Sequence, residues 1–109
     1  MTSLDVKEIR SKDELEKVIM DGVSMMDFSA PWCAPCRLQE PIFHQLAAQF
    51  EGKAIFARMN IDQNRDVAVN LSIQSIPTLI IFKNNKEIQR LVGLQSESTL
   101  SEALRKALP

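Results

Sequence analysis

Segments of strand character alternate with segments of helix character along the whole chain, and no Gly/Ser/Pro-rich linker breaks the alternation. Residues 3–9, SLDVKEI, alternate polar and apolar side chains as a short edge strand does. Ser11 followed by Glu14 forms a capping-box pattern that opens a helix running to about Met20. Residues 23–29, VSMMDFS, and 53–59, KAIFARM, read as strands. Between them, residues 34–50 place Leu38, Ile42 and Leu46 at i, i+4 and i+8, which predicts one buried helical stripe. Pro41 removes a backbone donor inside this helix, so a kink near Arg37 is expected. A short helix follows over 66–71. TLIIF and EIQRLV are then joined by Asn84 and Asn85, residues that tolerate the positive φ of a tight hairpin. Ser96 opens a last helix, ESTLSEALRKAL, with acid in its first turn and base in its last, matching the helix dipole. The order β α β α β α β β α predicts an α/β fold: a central mixed sheet of about five strands with four helices on both faces.

With 109 residues the chain is read as one domain spanning 1–109. Thirteen basic side chains face 14 acidic ones, so no strong field points to nucleic acid as a partner. The N-terminus MTSLDVKEIR lacks the apolar core of a signal peptide, and the longest clearly apolar run, LIIF at 79–82, is too short to span a bilayer. The expectation is a soluble, cytoplasmic protein with no membrane partner. Two cysteines are too few for a secreted disulfide scaffold, so a reducing compartment with a redox or metal role is favoured.

Those cysteines, Cys33 and Cys36, sit in FSAPWCAPCRLQEP, residues 28–41, directly after the single tryptophan, Trp32. Cys33 falls at a strand-to-helix junction and Cys36 one turn inside the helix, so both share a face within disulfide range. At a helix N-terminus, unpaired N–H groups and the positive dipole end stabilise a thiolate, which makes Cys33 the nucleophile. Cys36, shielded by its helix, is then the thiol that attacks the mixed disulfide and releases product. A zinc site needs four ligands, whereas the chain offers two cysteines and the lone His44, two turns further along the same helix; no metal is assigned. A structural disulfide closing so short a loop stabilises little. His44 is read as a solvent-facing residue without a role.

MDFSAPWCAPCR, MNIDQN, IPTLIIFKN and the Val92–Gly93 pair together resemble the thioredoxin family in order and spacing over essentially the whole chain. The resemblance implies the thioredoxin fold and general protein-disulfide reduction through a reversible Cys33–Cys36 dithiol/disulfide, with no cofactor. Its implied partners are a thioredoxin reductase and disulfide-containing protein substrates, and its implied state is a monomer. Two alternatives remain open from the residues: a disulfide oxidase or isomerase of the same fold, and a binding module that docks through the surface around Trp32.

Carried over residue by residue, the resemblance makes Cys33 the attacking thiol, Cys36 the resolving thiol and Pro77 a cis-proline facing them. Locally, SIPT reads instead as a proline that opens an edge strand. Trp32, Ala34, Pro35, Ile61, Ile76, Val92 and Gly93 are implied to form the surface around Cys33 that meets substrate. Asp27, six residues before Cys33 in an apolar strand, is implied to be buried beneath the dithiol and to take the proton of Cys36. Burial raises an acid's pKa enough for that task. Arg58 stands where the family more commonly has lysine; a guanidinium stays charged, so its implied role is electrostatic. Ala34 replaces a common glycine, Ser29 a bulky aromatic that would shield Asp27 from water, and Ser75 a frequent glycine before Ile76. Pro35 brings neither a charge nor an N–H to the dithiol, which favours a reductase over an oxidant.

Overall fold

A computed structural model describes residues 6–109. Nine elements follow the expected order: β1 Val6–Ile9, α1 Lys12–Ile19, β2 Val23–Ser29, α2 Ala34–Gln49, β3 Ile55–Asn60, α3 Arg65–Asn70, β4 Thr78–Lys83, β5 Lys86–Val92 and α4 Glu97–Ala107. Ser3 to Asp5 of the expected first strand lie outside the described residues. The strands form one sheet in the order β1-β3-β2-β4-β5. β3 pairs parallel with both β1 and β2, while β2–β4 and β4–β5 are antiparallel, so the sheet is mixed.

β2 lies at the centre, and every residue from Val23 to Phe28 is buried. A central strand covered on both faces needs apolar groups at odd and even positions alike. Val23 and Met25 point into one core with Phe43, Leu46, Leu100 and Leu104, under α2 and α4. Met26 and Phe28 point into the other with Leu15, Ile19 and Val67, under α1 and α3. Strand alternation therefore turns Asp27 toward the α2/α4 face, beside the helix that carries the cysteines.

The local signals act largely as expected. Ser11 Oγ accepts the Glu14 N–H, but the Glu14 carboxylate reaches back to the Arg10 N–H at 2.6 Å instead of closing on Ser11. Ser96 Oγ caps α4 by accepting the Thr99 N–H. Asn84 and Asn85 both have positive φ, 50° and 73°, which suits a two-residue hairpin between right-twisted strands. Asn84 Oδ1 also accepts the Gly22 N–H at 2.8 Å, fastening the hairpin to the turn before β2.

The stripe expected on α2 is corrected. Leu38 is 62% exposed, and the buried face comprises Cys36, Gln39, Phe43, Leu46 and Ala47. The stripe is hidden in the sequence because its second member, Gln39, is polar. Helix α2 runs as one element through Pro41, whose missing N–H leaves the Arg37 carbonyl without its helical donor. β3 begins at Ile55 because Lys53 and Ala54 donate their N–H groups to the Phe50 carbonyl and complete the turn after α2.

Candidate active site

Cys33 is the N-cap residue of α2 and Cys36 lies in its first turn. They are joined as a disulfide with their Cα atoms 5.2 Å apart. Both are buried, with exposures of 4% and 5%, so accessibility in the oxidised state does not separate their roles. Their surroundings differ. Cys33 Sγ accepts the Cys36 backbone N–H at 3.2 Å and lies 3.8 Å from the Ile76 carbonyl oxygen. The N–H groups of a first helical turn have no intrahelical acceptor, so the Cys33 sulfur takes up one of them. Cys36 instead lines a cleft of about 550 Å³ that also contains Asp27, Ser29, Glu40 and Arg58.

The remaining candidates gather at the same end of the sheet. The Ile76–Pro77 peptide is cis, and Pro77 precedes β4, which is an interior strand and not the edge suggested by SIPT alone. The Pro77 carbonyl accepts the Gly93 N–H at 2.8 Å, so the loops carrying Ile76 and Gly93 are bonded directly. Gly93 has φ 89°, a conformation that favours glycine. Val92 and Trp32 are 55% and 67% exposed, whereas Ile61 and Ile76 are half-buried, Ile61 packing in part on the α1/α3 core. Ala34 and Pro35 are exposed in the first turn of α2.

Asp27 is buried, with 3% exposure, and Oδ1 has no hydrogen-bond partner among the described residues. Burial pushes its pKa from 3.8 up to about 7, partly offset by the Arg58 charge and reinforced by that of Glu40. Arg58 is its register partner on β3, yet the guanidinium is engaged elsewhere, by Glu8 at 2.8 Å and by Glu40. Ser29 is one of the small walls of this cleft. His44 is half-buried, with Nε2 3.8 Å from Glu40 Oε1, and so is less open to solvent than its sequence suggests.

Three residues escape a reading of the sequence. Asp62 accepts the Trp32 indole N–H at 2.8 Å. MNIDQN contains Asp62, but nothing local says which aromatic it meets. Gln39, fully buried, donates to the Gln95 carbonyl at 3.1 Å and accepts the Gln95 N–H at 2.7 Å. Gln95 in turn donates from its side chain to the Val92 and Gly93 carbonyls. Gln39 thus ties the 92–95 loop to the helix that carries the cysteines. Glu40 is the third, and it reaches both Arg58 and His44.

No helix among the described residues is long and apolar enough to cross a membrane. The thioredoxin family model matches residues 6–106. A thioredoxin of Staphylococcus aureus is 38% identical over 95 residues, covering 87% of this chain and 91% of that protein. Among solved structures, a point mutant of the thioredoxin from Halobacterium salinarum superposes with a TM-score of 0.90 at 29% identity, covering 100% of this chain and 96% of that one. The Malassezia sympodialis thioredoxin superposes with a TM-score of 0.85 at 30% identity, covering 94% and 90%. With its Cys33–Cys36 disulfide at the start of α2 and a family match across nearly its whole length, the chain belongs to the thioredoxin family of protein-disulfide oxidoreductases.

Proposed function

We propose that the chain is a cytoplasmic, monomeric, single-domain disulfide reductase over residues 1–109, recharged by a thioredoxin reductase. In the reduced protein the Cys33 thiolate attacks one sulfur of a substrate disulfide, forming a mixed disulfide and expelling the other sulfur as a thiolate. Cys36, deprotonated by Asp27, then attacks Cys33 Sγ. The second substrate thiolate leaves, two electrons have passed to the substrate, and the Cys33–Cys36 disulfide remains for the reductase to reduce.

The observation that carries this division of labour is the Cys36 N–H donated to Cys33 Sγ at the start of α2, a bond that strengthens when the acceptor is a thiolate. The position of Cys36 in the Asp27 cleft supports its role as the thiol that loses its proton second. The exposed Trp32 and Val92, with Ala34, Pro35, Ile61, Ile76 and Gly93 around them, are the proposed docking surface, and Pro77 sets the loop that meets an extended substrate. The role of Arg58 is electrostatic, acting on Asp27. The uncharged Pro35 supports reduction over oxidation as the favoured direction.

Substitution tests the roles. Cys33→Ser is expected to abolish reduction of insulin disulfides, whereas Cys36→Ser is expected to accumulate mixed disulfides. If Cys36 of the reduced protein reacts with iodoacetamide before Cys33 at neutral pH, the two roles are reversed.

A further inference from the structure

Arg58 and Asp27 face each other across the β2–β3 pair, but the guanidinium turns to two other acids. Its Nε donates to Glu8 on β1 at 2.8 Å and its Nη1 donates to Glu40 on α2. The Arg58 side chain is 39% exposed, while Asp27 is 3% exposed, so the cation stands at the mouth of the cleft and the acid at its floor. Ion pairs as exposed as these contribute little to stability. What two carboxylates on separate edges of a planar fork do achieve is a fixed position for its charge.

We propose that Glu8 and Glu40 are positioning residues for Asp27: by holding Arg58 between them at the cleft mouth, they keep its charge from closing on the Asp27 carboxyl and so preserve that carboxyl's affinity for a proton. The proposal rests on the reading of Asp27 as the acceptor of the Cys36 proton. It also gives the unpartnered Asp27 Oδ1 a cause, because the cation opposite it is bonded to other acids.

The charges around Asp27 come from three elements. Glu8 lies on β1 and Arg10 just after it, and Arg58 lies on β3. Arg37 and Glu40 on α2 line the same cleft together with Cys36. Arg37 is occupied by the Pro31 carbonyl at 2.8 Å, and His44 lies 3.8 Å from Glu40. β4 sets the uncharged Leu79 opposite Asp27. Arg58 pulls the Asp27 pKa down, while Glu40 also pushes it up directly through its own negative charge.

The test follows the Asp27 carboxyl carbon by NMR against pH in the oxidised full chain. Glu8→Gln is expected to release Arg58 toward Asp27 and lower the titration midpoint by about half a pH unit or more. Glu40→Gln should shift it the same way, partly through the loss of its own charge, so if Glu8→Gln fails to fold the Glu40→Gln shift is compared with the one it produces in the Arg58→Met background, which should be smaller. Arg58→Met should raise the midpoint, and in that background Glu8→Gln should no longer move it. A midpoint unchanged by both Gln variants, or an equal shift with and without Arg58, overturns the proposal. The acid limb of the rate at which Cys36 resolves a mixed disulfide is the second readout, and it should move with the midpoint. If the midpoint moves and the rate profile does not, the clamp stands and Asp27 is not the proton acceptor.

Discussion

Asp27 on β2 and Cys36 on α2 line one cleft, and Asp27 Oδ1 has no hydrogen-bond partner there among the described residues. A buried acid without a partner weakens the fold whenever it must ionise.

The pH at which this cost appears follows from linkage. Below 3.8 the carboxyl is protonated in both states and ionisation costs nothing. Between 3.8 and about 7 the unfolded chain loses its proton while the fold retains it, so stability falls as pH rises; above about 7 the loss is complete. A rise from 3.8 to about 7 corresponds to about 4 kcal/mol as an order of magnitude. Asp27→Ala should therefore stabilise the oxidised protein more near pH 8 than near pH 4. The packing loss from the smaller side chain is common to both conditions and cancels. The same variant should resolve mixed disulfides more slowly, because it removes the proposed acceptor of the Cys36 proton. Urea midpoints at the two pH values and single-turnover rates check both halves. Equal midpoint gains at the two pH values would mean that Asp27 reaches water in solution.

Trp32 reports on the site from the other side of the pair. Its emission should differ between the dithiol and disulfide forms, since Cys33 is its neighbour in the chain. Asp62→Ala should free the indole at a cost of about 1 kcal/mol or less, because the bond it removes is exposed. Fluorescence anisotropy of the single tryptophan should then fall. An unchanged anisotropy would show that the Asp62 bond does not restrain the ring.

Gln39 makes a prediction about the neighbouring loop. Gln39→Leu keeps the volume but leaves the Gln95 N–H and carbonyl unpaired, which costs about 1–3 kcal/mol. Amide exchange should accelerate at Gln95 and Gly93 before it does so in β2 or β4. Uniform loss of protection would mean that Gln39 supports the core as a whole and not the loop.

What the sequence reveals follows from how local each cause is. The hairpin at Asn84–Asn85, the Ser11 and Ser96 caps and the strand over residues 23–29 are read correctly because neighbouring residues determine them. Leu38 is misread because apolar spacing along a helix carries no information about the partners it meets; the buried place belongs to Gln39, whose two bonds are made 56 residues away. The Glu8–Arg58–Glu40 clamp is invisible for the same reason, its members lying 50 and 18 positions apart and meeting only when β1, β3 and α2 are assembled. The cysteine pair is legible as chemistry because C-x-x-C at a strand-to-helix junction is a local pattern. The charges around Asp27 are not local.

The direction of electron flow is tested most directly by equilibrating the protein with mixtures of reduced and oxidised glutathione and reading the Cys33–Cys36 state from alkylation and mass. A reductase holds its disulfide more tightly than glutathione does, so the pair should stay oxidised until reduced glutathione is in large excess and should have a potential below that of the glutathione couple. A potential well above it, with the dithiol persisting in oxidising mixtures, would contradict reduction as the function and make the chain an oxidant.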